Sequence, residues 1–183
     1  ADAALIMRMA AGLPLLPTGT QAAMLATEIQ QDGRHLVLGV VSGVSGSTIE
    51  IPLTVDRAEG VAGIDVVMGY DTRYLEYEGV ETGALTGRFE IEGEDLGAGK
   101  VKVSLADEEG LSGGGGELIR IQFRIREDAP SGLRTRIALV AGRLSDQYGR
   151  DFATSALQEP VSFKSGEVRL SYTVYLPLLL RSR

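Results

Sequence analysis

From His35 onward, the chain alternates apolar and polar residues with a period of two, the pattern of half-buried β-strands. The clearest case is Ile49–Val55, where Glu50, Pro52 and Thr54 alternate with branched apolar side chains. Six further segments show strand patterns: Leu36–Val41, Ile64–Met68, Val101–Ala106, Leu118–Ile125, Ile137–Leu144 and Val161–Leu170. Short strands separated by glycine-rich turns, with no long helix between them, predict an all-β sandwich.

The two ends of the chain do not share this pattern. Leu5, Ile6 and Met9 are spaced as on one face of a helix, and Gly12 follows them, which predicts a short helix within residues 1–13. Pro14 and Pro17 prevent its continuation and begin a linker over residues 14–34. The predicted sandwich then spans residues 35–170 and is followed by a tail over residues 171–183. No apolar run reaches the ~20 residues of a membrane-spanning helix, so no transmembrane segment is expected.

Composition removes several kinds of site. The chain has no cysteine and a single histidine, which excludes disulfides, thiolate zinc sites and multi-histidine metal sites. It has no tryptophan and only 5% aromatic residues, which removes the usual stacking platforms for sugars and single-stranded nucleic acid. A net charge of −7 has the wrong sign for a surface that follows phosphates, so we expect no nucleic acid partner.

The motifs that could carry catalysis or metal binding are weak. Glu94–Lys100 resembles the end of a P-loop, but the first glycine is missing and Val101 replaces the magnesium ligand. The run Gly113–Gly116 indicates a flexible turn between strands, and His35 has no evident nucleophile beside it. Asp107–Glu109 is either a solvated acidic loop or a set of calcium ligands. These residues indicate no catalytic centre, and the pattern alone predicts only a secreted β-sandwich.

Several segments between His35 and Leu170 follow one another in the order found in one family. They are Gly46–Leu53, Gly60–Asp71, Leu75–Glu76, Gly79–Val80, Val103–Asp107, Gly110–Phe123, Leu144–Asp146 and Gly166–Leu170. No single segment is specific, but the ordered series resembles a cohesin module over residues 35–170. Because Asp107–Gly116 is short and rich in glycine, it has no room for the helix that one cohesin type carries there, and the sequence resembles the type I form.

The resemblance implies a nine-stranded β-sandwich of jelly-roll topology that binds a calcium-loaded dockerin and catalyses no reaction. The implied partner carries a carbohydrate-active enzyme, the calcium belongs to the dockerin, and this chain has no cofactor and no metal site. The implied setting is a secreted, extracellular or cell-surface assembly of the cellulosome kind. Two other classes stay open, a carbohydrate-binding module and a structural cell-surface β-sandwich domain.

The first residues carry a second resemblance. Asp2–Leu13 is similar to the second half of a dockerin repeat, in which Asp2 would be the last ligand of a calcium loop. Calcium binding in such a loop also needs ligands from its earlier positions, which would precede residue 1. We therefore expect this dockerin-like remnant to bind no calcium.

The resemblance also implies where a dockerin docks, on a sheet face made by the third, fifth, sixth and eighth strands. The positions carried over are Gly63, Asp65, Ser104, Asp107 and Gly110, with Val67, Lys102, Tyr148 and Arg150 framing them. Asp65 is the strongest of these predictions, because the alternation of its strand independently places it opposite the core positions. Gly63 departs from the polar residue common there in the family. We expect Asp65 to be important for binding and nearly neutral for folding.

Overall fold

The alternating segments form two stacked sheets in the computed structural model, which describes residues 33–153 and 160–172. The predicted helix of residues 1–13, nearly all of the predicted linker and most of the tail lie outside the described residues. The strands are β1 (Arg34–Leu38), β2 (Val40–Gly43), β3 (Thr48–Arg57), β4 (Gly63–Gly69), β5 (Leu75–Thr82), β6 (Glu90–Gly97), β7 (Lys100–Ala106), β8 (Gly114–Ile125), β9 (Arg134–Ser145), β10 (Val161–Lys164) and β11 (Gly166–Leu170).

The strands pair in a fixed order within each sheet. The five-stranded sheet runs β10-β1-β3-β8-β5, and the six-stranded sheet runs β2-β11-β9-β4-β7-β6. Most neighbours are antiparallel, but β1 pairs with β10 and β2 pairs with β11 in parallel. The described residues therefore confirm the predicted all-β sandwich, and they contain no helix.

The core lies between the two sheets and is built from the inward half of each alternation. Phe123 of β8 is fully buried and contacts Tyr70 and Tyr77 edge-on, with ring centroids 5.0 and 5.9 Å apart. Across the sandwich, Ile64 and Met68 of β4 are buried as well. Each large apolar side chain buried in this way contributes about 1.5–3 kcal/mol to stability. Burial of these residues determines which side chains of each strand face the core, and the alternate side chains must therefore face solvent.

The predicted count of nine strands differs from the eleven observed among the described residues. The difference arises where the first and last strands each pass from one sheet to the other. Gly39 separates β1 in the five-stranded sheet from β2 in the six-stranded sheet, and Ser165 separates β10 from β11 in the same way. The first predicted strand is therefore divided into β1 and β2, and the last into β10 and β11.

The two crossings lie against each other, and glycine makes the approach possible. The Glu167 N–H approaches the Gly39 carbonyl at 3.4 Å, while the Gly39 N–H donates to Pro52 at 2.8 Å. A Cβ atom at Gly166 would collide with the Gly39 carbonyl oxygen and come within 3.0 Å of Leu38 Cβ. Backbone atoms cannot move aside as a flexible side chain can, so this position excludes a side chain.

Glycine also explains a wrong prediction between β7 and β8. The run Gly113–Gly116, predicted to be a turn, mostly belongs to β8, which begins at Gly114. A Cβ atom at Gly115 would collide with the carbonyl oxygen of Asp56 on the neighbouring strand β3. The glycines there allow two strand backbones to approach closely, which is a known use of glycine within a sheet.

We expect Gly166→Ala to destabilise the fold by about 1–3 kcal/mol, the usual cost of forcing extra atoms into a packed site. Chemical denaturation followed by circular dichroism measures the change. Gly87→Ala is the matched control, because Gly87 is exposed and a Cβ atom there meets nothing within 4 Å. Equal stability of the two variants would contradict the proposed role of the crossing.

Candidate functional site

The outer face of the six-stranded sheet brings Asp65 and Ser104 together near its centre. Ile64 and its inward neighbours on β4 are buried, so Asp65 is directed outward. Asp65 lies opposite Ser104 on β7, and the Ser104 hydroxyl donates to Asp65 Oδ1 at 2.8 Å. Glu92 of β6 continues this line on one side and Arg143 of β9 on the other. These four side chains form a central row across four strands.

The rows beside the central row are made largely of small side chains. In one of them, Gly63 lies between Ser145 of β9 and Ala106 of β7. In the other row, Val67 lies between Ala141 of β9 and Lys102 of β7. A Cβ atom at Gly63 would collide with the Ser145 hydroxyl, so glycine keeps this part of the surface low. A low surface with a polar centre can receive a helix whose backbone comes close to the sheet.

Sequence reasoning missed Arg143, which organises the loop at one end of this face. Its Nε atom lies 3.5 Å from Asp151 Oδ2, and its Nη2 atom donates to the Gly149 carbonyl at 3.1 Å. The loop between them presents Tyr148, which is 71% exposed, with the Arg150 guanidinium 5.1 Å from the ring centroid. The signal was available, since Arg143 occupies an outward position on an alternating strand.

Asp107 and Gly110 lie at the far end of β7, where both have structural contacts. The Asp107 side chain is only 12% exposed, and its carboxylate lies 3.2 Å from Arg88 Nε. A Cβ atom at Gly110 would approach the Gly60 backbone to about 3.0 Å, and the Gly60 N–H donates to Leu111 at 2.7 Å. These two predicted residues therefore support the loop that leads into β4, beside the central row.

The single histidine lies on the opposite sheet, among polar side chains that the sequence did not bring together. His35 Nδ1 contacts the Ser162 hydroxyl, and His35 Nε2 lies 3.7 Å from Asp56 Oδ2. In a hydrolytic triad, the serine contacts Nε2 and the aspartate contacts Nδ1, so this order is reversed. All three residues are exposed on a sheet surface, and their contacts connect β10, β1 and β3.

The described ranges, 33–153 and 160–172, lack two kinds of feature. They contain no group of three or more histidine or carboxylate side chains placed to hold a metal ion. They also contain no helix long and apolar enough to cross a membrane. Within the acidic segment that the sequence singled out, Asp107 Oδ1 accepts the Glu109 N–H at 2.7 Å, which is an ordinary turn contact.

Comparison with known families decides what this sandwich is. The profile of the cohesin domain matches residues 35–162, which is most of the chain. The chain belongs to the cohesin domain family. A comparison with curated proteins gives no match. The family resemblance carried by the ordered segments is thereby confirmed.

Solved structures resemble this cohesin domain in fold, at low sequence identity. A non-cellulosomal cohesin from Archaeoglobus fulgidus is 24% identical, with a TM-score of 0.63, over 76% of this chain and 92% of that one. The sixth cohesin of scaffoldin B from Acetivibrio cellulolyticus, solved with a Cel5 dockerin, is 21% identical, with a TM-score of 0.64, over 76% and 99%. A type I cohesin–dockerin complex from Clostridium thermocellum is 19% identical, with a TM-score of 0.61, over 76% of this chain and 94% of that one.

In this cohesin domain, the nine predicted binding residues fall into two groups. Gly63, Asp65, Val67, Lys102 and Ser104 lie together on the outer face of β4 and β7. The other four, Asp107, Gly110, Tyr148 and Arg150, lie in loops that continue from β7 and β9. The structure therefore places one group on a continuous surface and the second at its end.

In this cohesin domain, Asp146 holds the loop that follows β9 in place. Its Oδ1 atom accepts the backbone N–H groups of Tyr148 and Arg150, each at 2.9 Å, and its Oδ2 atom lies 2.6 Å from Arg150 Nη2. Burial of the carboxyl raises its pKa, but the hydrogen bonds from the Arg150 side chain and from both backbone N–H groups lower it, and the net pKa lies below its ordinary value.

A lowered carboxyl pKa gives a definite pH dependence. We expect Asp146 to titrate below the pKa of an ordinary aspartate, so its stabilising effect is complete above that ordinary pKa and is lost as the pH falls through the lowered one. NMR measures both effects. The carboxyl carbon of Asp146 reports its titration midpoint, and the Tyr148 amide reports whether the loop keeps its hydrogen bond to Asp146.

Arg150→Gln should raise the Asp146 midpoint, because it removes the charged donor. Arg169→Gln, a change of the same kind beside Glu167, should leave the midpoint unchanged. An Asp146 midpoint at or above that of an ordinary aspartate in the unmodified chain would contradict this account.

Proposed function

We propose that this cohesin domain is a non-catalytic binding module that receives a calcium-loaded dockerin on the outer face of β9, β4, β7 and β6. The dockerin carries the calcium and brings an enzyme that acts on polysaccharides. The assembly operates outside the cell or at its surface. Solved cohesins with this fold include complexes with dockerins, and those partners are the basis for the partner proposed here.

One observation carries the proposal, the bond between Asp65 and Ser104 at the centre of a low surface. Both side chains are only half-buried, and their bond leaves Asp65 Oδ2 available for a partner. A fixed carboxylate makes a charge-assisted hydrogen bond with a donor from a partner helix, and such bonds are about twice as strong as neutral ones. The glycine and alanine neighbours permit the helix to come close enough.

Catalysis on this face lacks structural support, which favours a binding role. Of the two carboxylates in the central row, Asp65 is bonded to Ser104 and Glu92 lies beyond that serine on β6, and the arginine of the row is already held by Asp151. Within the described residues, the concavity that includes Asp65, Glu92 and Ser104 is open to solvent, as is the one at Lys100. A flat surface of this kind suits a protein partner better than a small substrate, because small-molecule sites enclose most of their ligand.

Asp65→Ala should weaken dockerin binding by roughly 30-fold or more, while unfolding stability changes by no more than about 1 kcal/mol. The asymmetry follows because the free domain loses one half-exposed hydrogen bond, whereas the complex loses a charge-assisted bond covered by the partner. Isothermal titration with calcium-loaded dockerins gives the affinity, and denaturation gives the stability.

Glu50→Ala and Glu108→Ala serve as controls for Asp65→Ala. Glu50 lies on the outer face of the opposite sheet, and Glu108 is exposed beyond the end of β7. Each should alter affinity by less than about fivefold, since exposed charges contribute about 0–1 kcal/mol. An Asp65→Ala variant that unfolds or binds with unchanged affinity would place the dockerin elsewhere.

Binding should require calcium although this chain holds none. Chelation with EDTA should abolish the complex, and the isolated chain titrated with calcium should give no heat at micromolar concentrations. A pull-down on insoluble polysaccharide, run in parallel, tests the carbohydrate-binding alternative. A tight calcium site on this chain, or retention on the polysaccharide without a dockerin, would overturn the proposal.

A further inference from the structure

The outer face of the six-stranded sheet carries opposite charges toward its two ends. Glu90 and Glu92 project from β6 beside Ala106 and Ser104, at the end where the low Gly63 row lies. Toward the other end, Lys100 of β7 lies opposite Gly69 of β4. The face is thus acidic at one end and basic at the other.

The basic end has a second cation on a neighbouring strand. Arg136 of β9 and Lys100 line the same open concavity, together with Asp71, whose carboxylate is already paired with Arg73 at 2.6 Å. Arg136 Nη2 donates to the Ser165 hydroxyl at 2.8 Å, which holds the guanidinium in place. Lys102 adds a third cation one row closer to the centre, but Glu94 lies across from it on β6 and offsets part of its charge.

These charges differ from others nearby because they form no salt bridge with a described residue, although Glu167 of β11 lies opposite Arg136 in the sheet register. Between described residues, no salt bridge engages Glu90, Glu92, Lys100 or Arg136, whereas Arg143 and Arg88 are held by carboxylates. A charge outside a salt bridge is available to a partner, because no existing ion pair has to be broken first. The acidic and basic ends are therefore the parts of the face that can select a partner by charge.

The two ends are also far enough apart to act separately. Ser104 and Lys100 are four residues apart on β7, so at ~3.4 Å per residue they are separated by roughly 14 Å. That distance exceeds the Debye length of about 8 Å at physiological ionic strength. A partner that spans the face therefore interacts with two independent charges of opposite sign, rather than with one neutral average.

We propose that this charge polarity fixes the orientation of the dockerin, an inference that rests on the proposed function. The dockerin helix on this face places cationic side chains over Asp65, Glu90 and Glu92. It places acidic side chains, or the negative C-terminal end of the helix, over Lys100 and Arg136. The reversed orientation brings like charges together at both ends, which disfavours it.

Cross-linking tests the orientation directly, because the chain contains no cysteine of its own. Ala106→Cys marks the acidic end and Ala138→Cys marks the basic end, and both positions are directed outward. Each is mixed with a calcium-loaded dockerin that binds the unmodified chain and has one cysteine at a chosen end of its surface helix. Disulfide formation should favour one pairing at least tenfold, and moving the dockerin cysteine to the other helix end should reverse the preference.

Charge reversal tests the cause of the orientation. The double variant Lys100→Glu and Arg136→Glu should weaken binding about tenfold, and reversing the acidic residues of the dockerin that face this end should restore it. The matched control is Arg124→Glu with Arg126→Glu, which changes net charge equally at a separate concavity that these two arginines share on the other sheet. The control should bind within about twofold of the unmodified chain.

The outcomes separate this inference from the proposed function. Equal cross-linking of both orientations, or equal affinities for the double variant and its control, would overturn the inference while leaving dockerin binding intact. Failure of every calcium-loaded dockerin to bind would overturn the proposed function itself. Preferential cross-linking that disappears in the double variant would support both.

Discussion

The contact between the backbones at Gly39 and Gly166 is the constraint on which the sandwich depends. At this point, the first and last strands of the sandwich each leave one sheet and enter the other. The crossings place β1 and β10 in one sheet and β2 and β11 in the other, so both ends of the described chain contribute a strand to each sheet. Any side chain at Gly166 would separate the crossings, because the nearest atom it meets is the backbone carbonyl oxygen of Gly39.

The functional face follows from the core rather than from features of its own. Once the inward positions of β4 and β7 are buried, their outward positions must form rows in register across the sheet. This geometry, and no local motif, brings Asp65 beside Ser104 although 39 residues separate them. The central row is therefore as rigid as the sheet beneath it, which suits a surface that must meet a partner in one geometry.

Strands with a strict alternation could be predicted from the sequence, and strands at the edges could not. The stretch Ile49–Val55 has one buried and one solvated face, and the pattern shows this directly. In contrast, β6 is an edge strand with exposed carboxylates along nearly its whole length, so it has almost no apolar half to detect. The glycines of β8 were misinterpreted because a residue without a side chain has no polarity to alternate.

The binding face was predictable in part for the same reason. Asp65 occupies a clear outward position, so both the alternation and the family resemblance pointed to it. The partners of Arg143 were not predictable, because its contacts depend on how the loop after β9 folds back to Asp151. The charges at the two ends also required the structure, since Lys100 and Arg136 lie on strands that are distant in sequence and share one concavity.

The acidic character of β6 has a consequence for crowded conditions. An exposed sheet edge is a template on which another chain can add a strand, and this is a common route to aggregation. Here, a second copy pairing through β6 would align the row of Glu90, Glu92 and Glu94 with an identical row. This repulsion disfavours pairing through β6 and leaves the broad face of each copy accessible.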